Sequence, residues 1–193
     1  MIKGFNELKK VMEKSAVTLK MKSGESKILR LLVPSEEISS AYEHVIQING
    51  GWRTIECLGR KECPLCKSGL TASLKAYIPV LDKTEGKVKI FKASKDVVKS
   101  LIAFESEEEY KDLTKFDLKC IRQGEGLNTK YTFIIKEKTN EDLSKYREAI
   151  PDIHSFLETL TKEEIQALLN EAHTSSTVNE PSNNSNDETN YPF

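Results

Sequence analysis

The stretch from His44 to Cys66, HVIQINGGWRTIECLGRKECPLC, constrains this chain more than any other. Its soft ligand candidates are His44, Cys57, Cys63 and Cys66, spaced as H-x12-C-x5-C-x2-C. Two thiolates separated by two residues grip one tetrahedral ion without strain, and His44 with Cys57 completes a four-ligand set. Such a set leaves no open position for water or substrate, so the expected cofactor is one structural Zn2+ ion. Other readings compete. A C-x-x-C pair also serves redox chemistry, although the preceding strand and following long helix of such a site are missing. A disulfide needs an oxidising compartment, and the thiols could also stand unliganded. Cys120 lies apart in strand-like sequence and reads as a core or half-buried thiol.

The 193 residues suffice for one domain with appendages. No apolar run approaches the ~20 residues of a membrane span. Met1 to Lys14 alternate in charge without the apolar stretch of a leader. An intracellular setting is expected, where zinc thiolates persist. Charge is unevenly spread. Residues 1–100 carry nineteen basic against eleven acidic groups, while residues 151–193 carry one lysine against eight acids. A basic body with an acidic tail suits a polyanion partner; an ordinary solvated surface is the plainer account.

Along the chain, residues 1–16 read as a basic arm or short helix. A mainly β core follows over 17–139, with the zinc subdomain at 42–69. Val17 to Met21 and Ile28 to Val33 alternate as strands around a Ser23-Gly24-Glu25 turn. Tyr42 to Ile48 and Trp52 to Cys57 flank Asn49-Gly50-Gly51, a strong hairpin signal. Strands are also predicted over 70–81, 87–91, 116–120 and 131–135, with one internal helix at 95–104. About seven strands and one helix predict a small closed barrel of the OB-fold kind with an inserted zinc subdomain. Residues 140–173 form a helical segment, with a Thr161-x-x-Glu164 capping box. Residues 174–193 are too polar to build a core and read as a disordered acidic tail with an aromatic tip, Tyr191-Pro192-Phe193.

No phosphate loop, H-E-x-x-H or G-x-S-x-G occurs, so no enzyme is expected. Aromatics instead interleave with bases. The candidates for nucleic-acid contact are Tyr42, Trp52, Arg53, Lys75, Tyr77, Lys87, Lys89, Phe91, Lys92, Tyr131 and Phe133. Bases of a single strand stack on aromatic faces while lysines and arginines follow the phosphates.

These residues resemble the single-stranded DNA-binding, helix-destabilising proteins of T-even bacteriophages. The His44 to Cys57 interval, Asn49-Gly50, Trp52, Ile55-Glu56 and the closing Cys63-Pro64-x-Cys66 are similar to that family's metal motif. The interval from Cys57 to Cys63 is shorter than the family's. Glu85-Gly86-Lys87-Val88 recurs, and Phe91 falls where the family carries a DNA-contacting tyrosine. The resemblance implies an OB-fold core and zinc held by His44, Cys57, Cys63 and Cys66. It implies sequence-independent single-stranded DNA binding in replication, recombination and repair, in the cytoplasm of an infected bacterial host. A basic amino-terminal arm implies cooperative self-association on DNA. Tyr191-Pro192-Phe193 resembles the acidic tip of bacterial single-stranded DNA-binding proteins, which implies docking of replication or repair proteins. Two alternatives remain open: a zinc-containing interaction or scaffold protein of replication or transcription without strong DNA binding, and an RNA-binding OB module.

Overall fold

The computed structural model describes residues 17–48 and 51–174. The amino-terminal arm, Asn49-Gly50 and the tail from 175, with Tyr191, Pro192 and Phe193, lie outside the described residues. The chain divides into two compact units. The described residues of the first fall within Ala41–Leu74 and His154–Phe193, and those of the second within Val11–Ser40 and Lys75–Ile153.

The second unit is built on strands β1 (Ser26–Leu31), β4 (Ser73–Asp82), β5 (Lys87–Ser94), β6 (Phe116–Gln123) and β7 (Lys130–Lys138). They lie in the order β5–β4–β1–β6–β7, every pair antiparallel. Alternation decides the faces. Leu29, Ile78, Val80, Phe91, Leu118, Cys120 and Phe133 point to one side and form the main core. A helix over Lys95–Glu105 brings Val97 and Leu101 into the same core from positions four apart. A smaller cluster on the opposite face joins Leu32 and Leu81 to Leu143, near the short helix Ser144–Arg147. Arg147 Nε donates to the Leu32 carbonyl at 2.7 Å and fixes that helix.

Two buried cations on β1 are matched by carboxylates. Lys27 Nζ meets Asp82 Oδ2 at 2.6 Å and Glu85 Oε1 at 2.5 Å, while Asp82 Oδ1 accepts the backbone N–H of Thr84 and closes the β4–β5 turn. Arg30, fully buried, donates through Nε to Asp117 Oδ1 at 2.8 Å and through Nη1 to the Thr114 carbonyl at 3.3 Å. A buried charge without such partners would be strongly destabilising, so these pairs also fix the strand register.

The expected closed OB-fold barrel is not what forms. The strands make an open sheet in a mixed α/β arrangement, and no ladder joins β5 to β7. The two edges meet only through side chains: Phe91 lies 5.2 Å from the Tyr131 ring edge-on and 6.2 Å from Phe133. Period-two alternation reports that one face is buried. It is silent on whether the last strand pairs with the first, and here β5 and β7 touch through rings without forming a ladder. Val17 to Met21 also departs from expectation: only Thr18 forms a bridge, to Ile90.

The first unit pairs β2 (Ser39–Ile48) with β3 (Gly51–Glu56), Ile48 standing opposite Gly51 and His44 opposite Ile55. Among the described residues, α1 (Pro64–Lys67) and α4 (Lys162–Thr174) follow in this unit, while α2 (Lys95–Glu105) and α3 (Ser144–Arg147) are the helices of the second. Thr161 and Glu164 form the reciprocal capping box: the Thr161 N–H donates to Glu164 Oε2 at 2.7 Å and the Glu164 N–H to Thr161 Oγ1 at 3.2 Å. Ile165, one residue later, is fully buried against the core of Ile46, Ile55, Cys63 and Leu65. Among the described residues, no helix is long and apolar enough to cross a membrane.

Candidate metal centre

The hairpin supplies the first two ligand candidates. His44 sits inside β2, 1% exposed. Cys57 continues past β3 with its N–H on the Tyr42 carbonyl at 2.8 Å, which keeps the hairpin in register to the thiol. The chain then turns at Gly59, whose φ of +90° is the left-handed region that glycine enters without strain. The Gly59 carbonyl accepts the N–H groups of Glu62 and Cys63. Cys63 caps α1, Pro64 fills its first position, and the Lys67 N–H returns to the Cys63 carbonyl. This one-turn helix presents Cys63 and Cys66 to the same point.

All four candidate ligand atoms lie within 4.8 Å of one another. His44 Nε2 stands 3.5 Å from the sulfurs of both Cys63 and Cys66, and Cys57 Sγ lies 3.5 Å from Cys66 Sγ. A tetrahedral ion with bonds of ~2.3 Å to sulfur and ~2.0 Å to nitrogen sets its ligands roughly 3.5 to 3.8 Å apart, so the cluster fits such an ion. Electrostatics agree. Burial lowers the His44 pKa and favours the neutral imidazole that binds metals. Burial, with the neighbouring Cys57 and Cys63, pushes the Cys66 thiol up to about 12. Burial also raises Cys57. At Cys63 burial acts in the same direction, but N–H groups of Cys66, Leu58 and Leu65 outweigh it and bring the thiol below its usual value. One thiolate is thus favoured and its neighbours suppressed, a conflict that a shared cation removes. His44 Nδ1 is buried with no hydrogen-bond partner among the described residues.

The supporting shell was less visible in sequence. Glu158 bridges to β3 in parallel, with the Glu56 N–H on the Glu158 carbonyl and the Glu158 N–H on the Thr54 carbonyl, both at 3.0 Å. Its carboxylate clasps the Arg53 guanidinium, Nε to Oε2 at 3.0 Å with a second bond through Nη2. Ile165, Leu168 and Leu169 pack on the ligand-bearing core, and their three-and-four spacing was the available signal.

Those of the proposed nucleic-acid contacts that meet do so through buried or half-buried rings rather than on an exposed face. Tyr77 and Phe91 are 1% and 4% exposed, Phe91 within the main core and Tyr77 on the opposite face of β4 from Ile78 and Val80. Phe133 is buried, and Tyr131 packs edge-on against Phe91. Arg53 is committed to Glu158 and Lys89 to Glu85, and Lys92 lies over the Tyr77 ring. Tyr42 and Lys75 are half-buried; Lys87 and Trp52 are exposed. Single-stranded DNA binding on an OB-fold is therefore corrected together with the barrel: the sheet is open, and the best stacking candidates hold the core. No family model matches the chain, and no curated protein matches it.

Proposed function

We propose that this chain is a zinc-containing interaction or scaffold protein without strong DNA binding. The observation that carries the reading is the convergence of His44, Cys57, Cys63 and Cys66 within 4.8 Å. Three thiols and an imidazole favour zinc over harder cations, and a filled four-ligand site serves structure rather than turnover. When bound, the ion ties the hairpin to the α1 turn. The residues do the rest: His44 anchors from β2, Cys57 from the end of β3, and Cys63 with Cys66 from the helix. A role in replication or transcription assemblies rests on the likeness of the metal motif to the T-even bacteriophage proteins.

Elemental analysis of native protein, with Cys63→Ser beside it, tests the metal. One zinc per chain is expected, lost together with order around the hairpin in the variant. A fluorescence titration with oligo(dT) at rising salt tests the second half. Weak binding is expected; tight, steeply salt-dependent binding would overturn it.

A further inference from the structure

Exposure divides the four ligand candidates into two pairs. His44 and Cys63 are fully buried, whereas Cys57 and Cys66 are half-buried and reach solvent. The two half-buried sulfurs are also neighbours, 3.5 Å apart. Bonded sulfurs stand ~2.05 Å apart, so a disulfide needs this pair to close by roughly 1.5 Å. Rotation of two cysteine side chains about χ1 moves their sulfurs on that scale. Both residues also sit at the ends of elements: Cys57 follows the last residue of β3, and Cys66 belongs to a helix of four residues.

Cys63 is held differently. Its sulfur accepts the N–H groups of Cys66, Leu58 and Leu65, and the residue packs with Ile55, Leu65 and Ile165. A reagent arriving from solvent therefore meets Cys57 and Cys66 before Cys63, although Cys63 shares the C-x-x-C turn with Cys66. Thiolate oxidation follows exposure as well as charge. Cys120, the remaining thiol, is 0% exposed in the main core of the second unit.

We propose that Cys57 and Cys66 are an oxidation site, where hydrogen peroxide joins them as a disulfide and the centre gives up its ion. One of the two thiolates attacks a peroxide oxygen. The O–O bond breaks, an S–O bond forms, and the departing hydroxide takes up a proton as water. The second thiolate attacks the sulfenic sulfur. The S–S bond forms, the S–O bond breaks, and a second hydroxide becomes water. Two electrons pass from the sulfur pair to the peroxide. His44 and Cys63 then remain as two of the four donors that a structural zinc site requires, so the ion is lost. The disulfide keeps the end of β3 tied to α1, which leaves the lobe ready to take the ion back on reduction. The inference rests on the reading of the site as a zinc centre and adds its regulation by oxidant.

Elemental analysis first establishes zinc in the full chain, which then meets a small excess of hydrogen peroxide. A chromophoric chelator reads the zinc released, and free thiols are alkylated before tryptic mapping without reduction. Trypsin places Cys57 on the peptide from Thr54 to Arg60, and Cys63 with Cys66 on the peptide from Glu62 to Lys67. The expected product links these two peptides through Cys66, with Cys63 alkylated; fragmentation at Pro64 separates the two assignments. Zinc should leave in step with the disulfide, and dithiothreitol with added zinc should restore the native content. Cys120→Ala should behave as the native chain does. Zinc retained through peroxide, a Cys63–Cys66 loop within one peptide, a link through Cys63 or Cys120, or sulfonic acids without a disulfide would each overturn the proposal. A native chain without zinc would sink the metal reading and this inference together, whereas a zinc-loaded chain that failed the mapping would sink this inference alone.

Discussion

Ile165 is the point at which α4 and the candidate metal centre depend on each other. It is fully buried, in a cluster with Cys63, Leu65 and Ile55, and it binds no ion. Ile165→Ala removes three carbons from a site with no exposed surface, which costs about 2 to 5 kcal/mol. Ile165→Val removes one carbon and costs about 0.5 to 1.5 kcal/mol. Where ligands are assembled by folding, metal affinity carries that loss, because the ion binds only the folded lobe. A cost of about 3 kcal/mol converts to roughly a hundredfold weaker zinc affinity, and the valine variant should fall only severalfold. Competition against a chromophoric chelator reads both. If Ile165→Ala held zinc as tightly as the native chain while unfolding at a lower denaturant concentration, the lobe and the ion would be energetically separate. The coupling argument would then fail.

Asp117→Ala should destabilise the second unit by removing the carboxylate that faces the buried Arg30 guanidinium. Breaking a buried pair costs about 3 to 5 kcal/mol, and the 18% exposure of the Asp117 side chain places this case at the lower end, since water reaches the abandoned charge. Urea midpoints measure it, and Arg30→Met/Asp117→Leu should recover most of the loss; an unchanged midpoint in the single variant refutes the assignment. Burial opposes the charge on Lys27, but its hydrogen bonds to Asp82 and Glu85 outweigh this and raise its pKa above the ordinary 10.5. A raised folded value means that the contribution is complete below the unfolded pKa and disappears as pH climbs through the folded one. Thermal unfolding between about pH 9 and about pH 12 should therefore fall more steeply in the native chain than in Lys27→Met, and parallel profiles would show that the pair contributes nothing.

The metal cluster was legible because its information is local. Cys63 and Cys66 lie on one helical turn, and the Asn49-Gly50-Gly51 signal anticipated the hairpin that returns Cys57 toward His44. The Thr161–Glu164 capping box was legible for the same reason: both partners sit within one turn. Closure of the sheet was a different kind of question. It depends on whether β5 and β7, some forty residues apart in sequence, share hydrogen bonds, and no residue in either strand encodes that choice alone. The pairing of Arg53 with Glu158 also spans about a hundred positions, so Arg53 read as a free cation.

Interleaved lysines and aromatics misled for a physical reason. On a strand, neighbours in sequence face opposite sides, so Lys130-Tyr131-Thr132-Phe133 places its bases and its rings on different surfaces. A stacking groove needs both on one surface. In phase with each other, Lys75 and Tyr77 satisfied that condition in sequence, yet Tyr77 ended 1% exposed with Lys92 of β5 over its ring, so it presents no face to a base. The same alternation that removes the rings from the outer face of β7 leaves lysines and isoleucines there together. That combination offers phosphates a charge but no ring on which a base could stack.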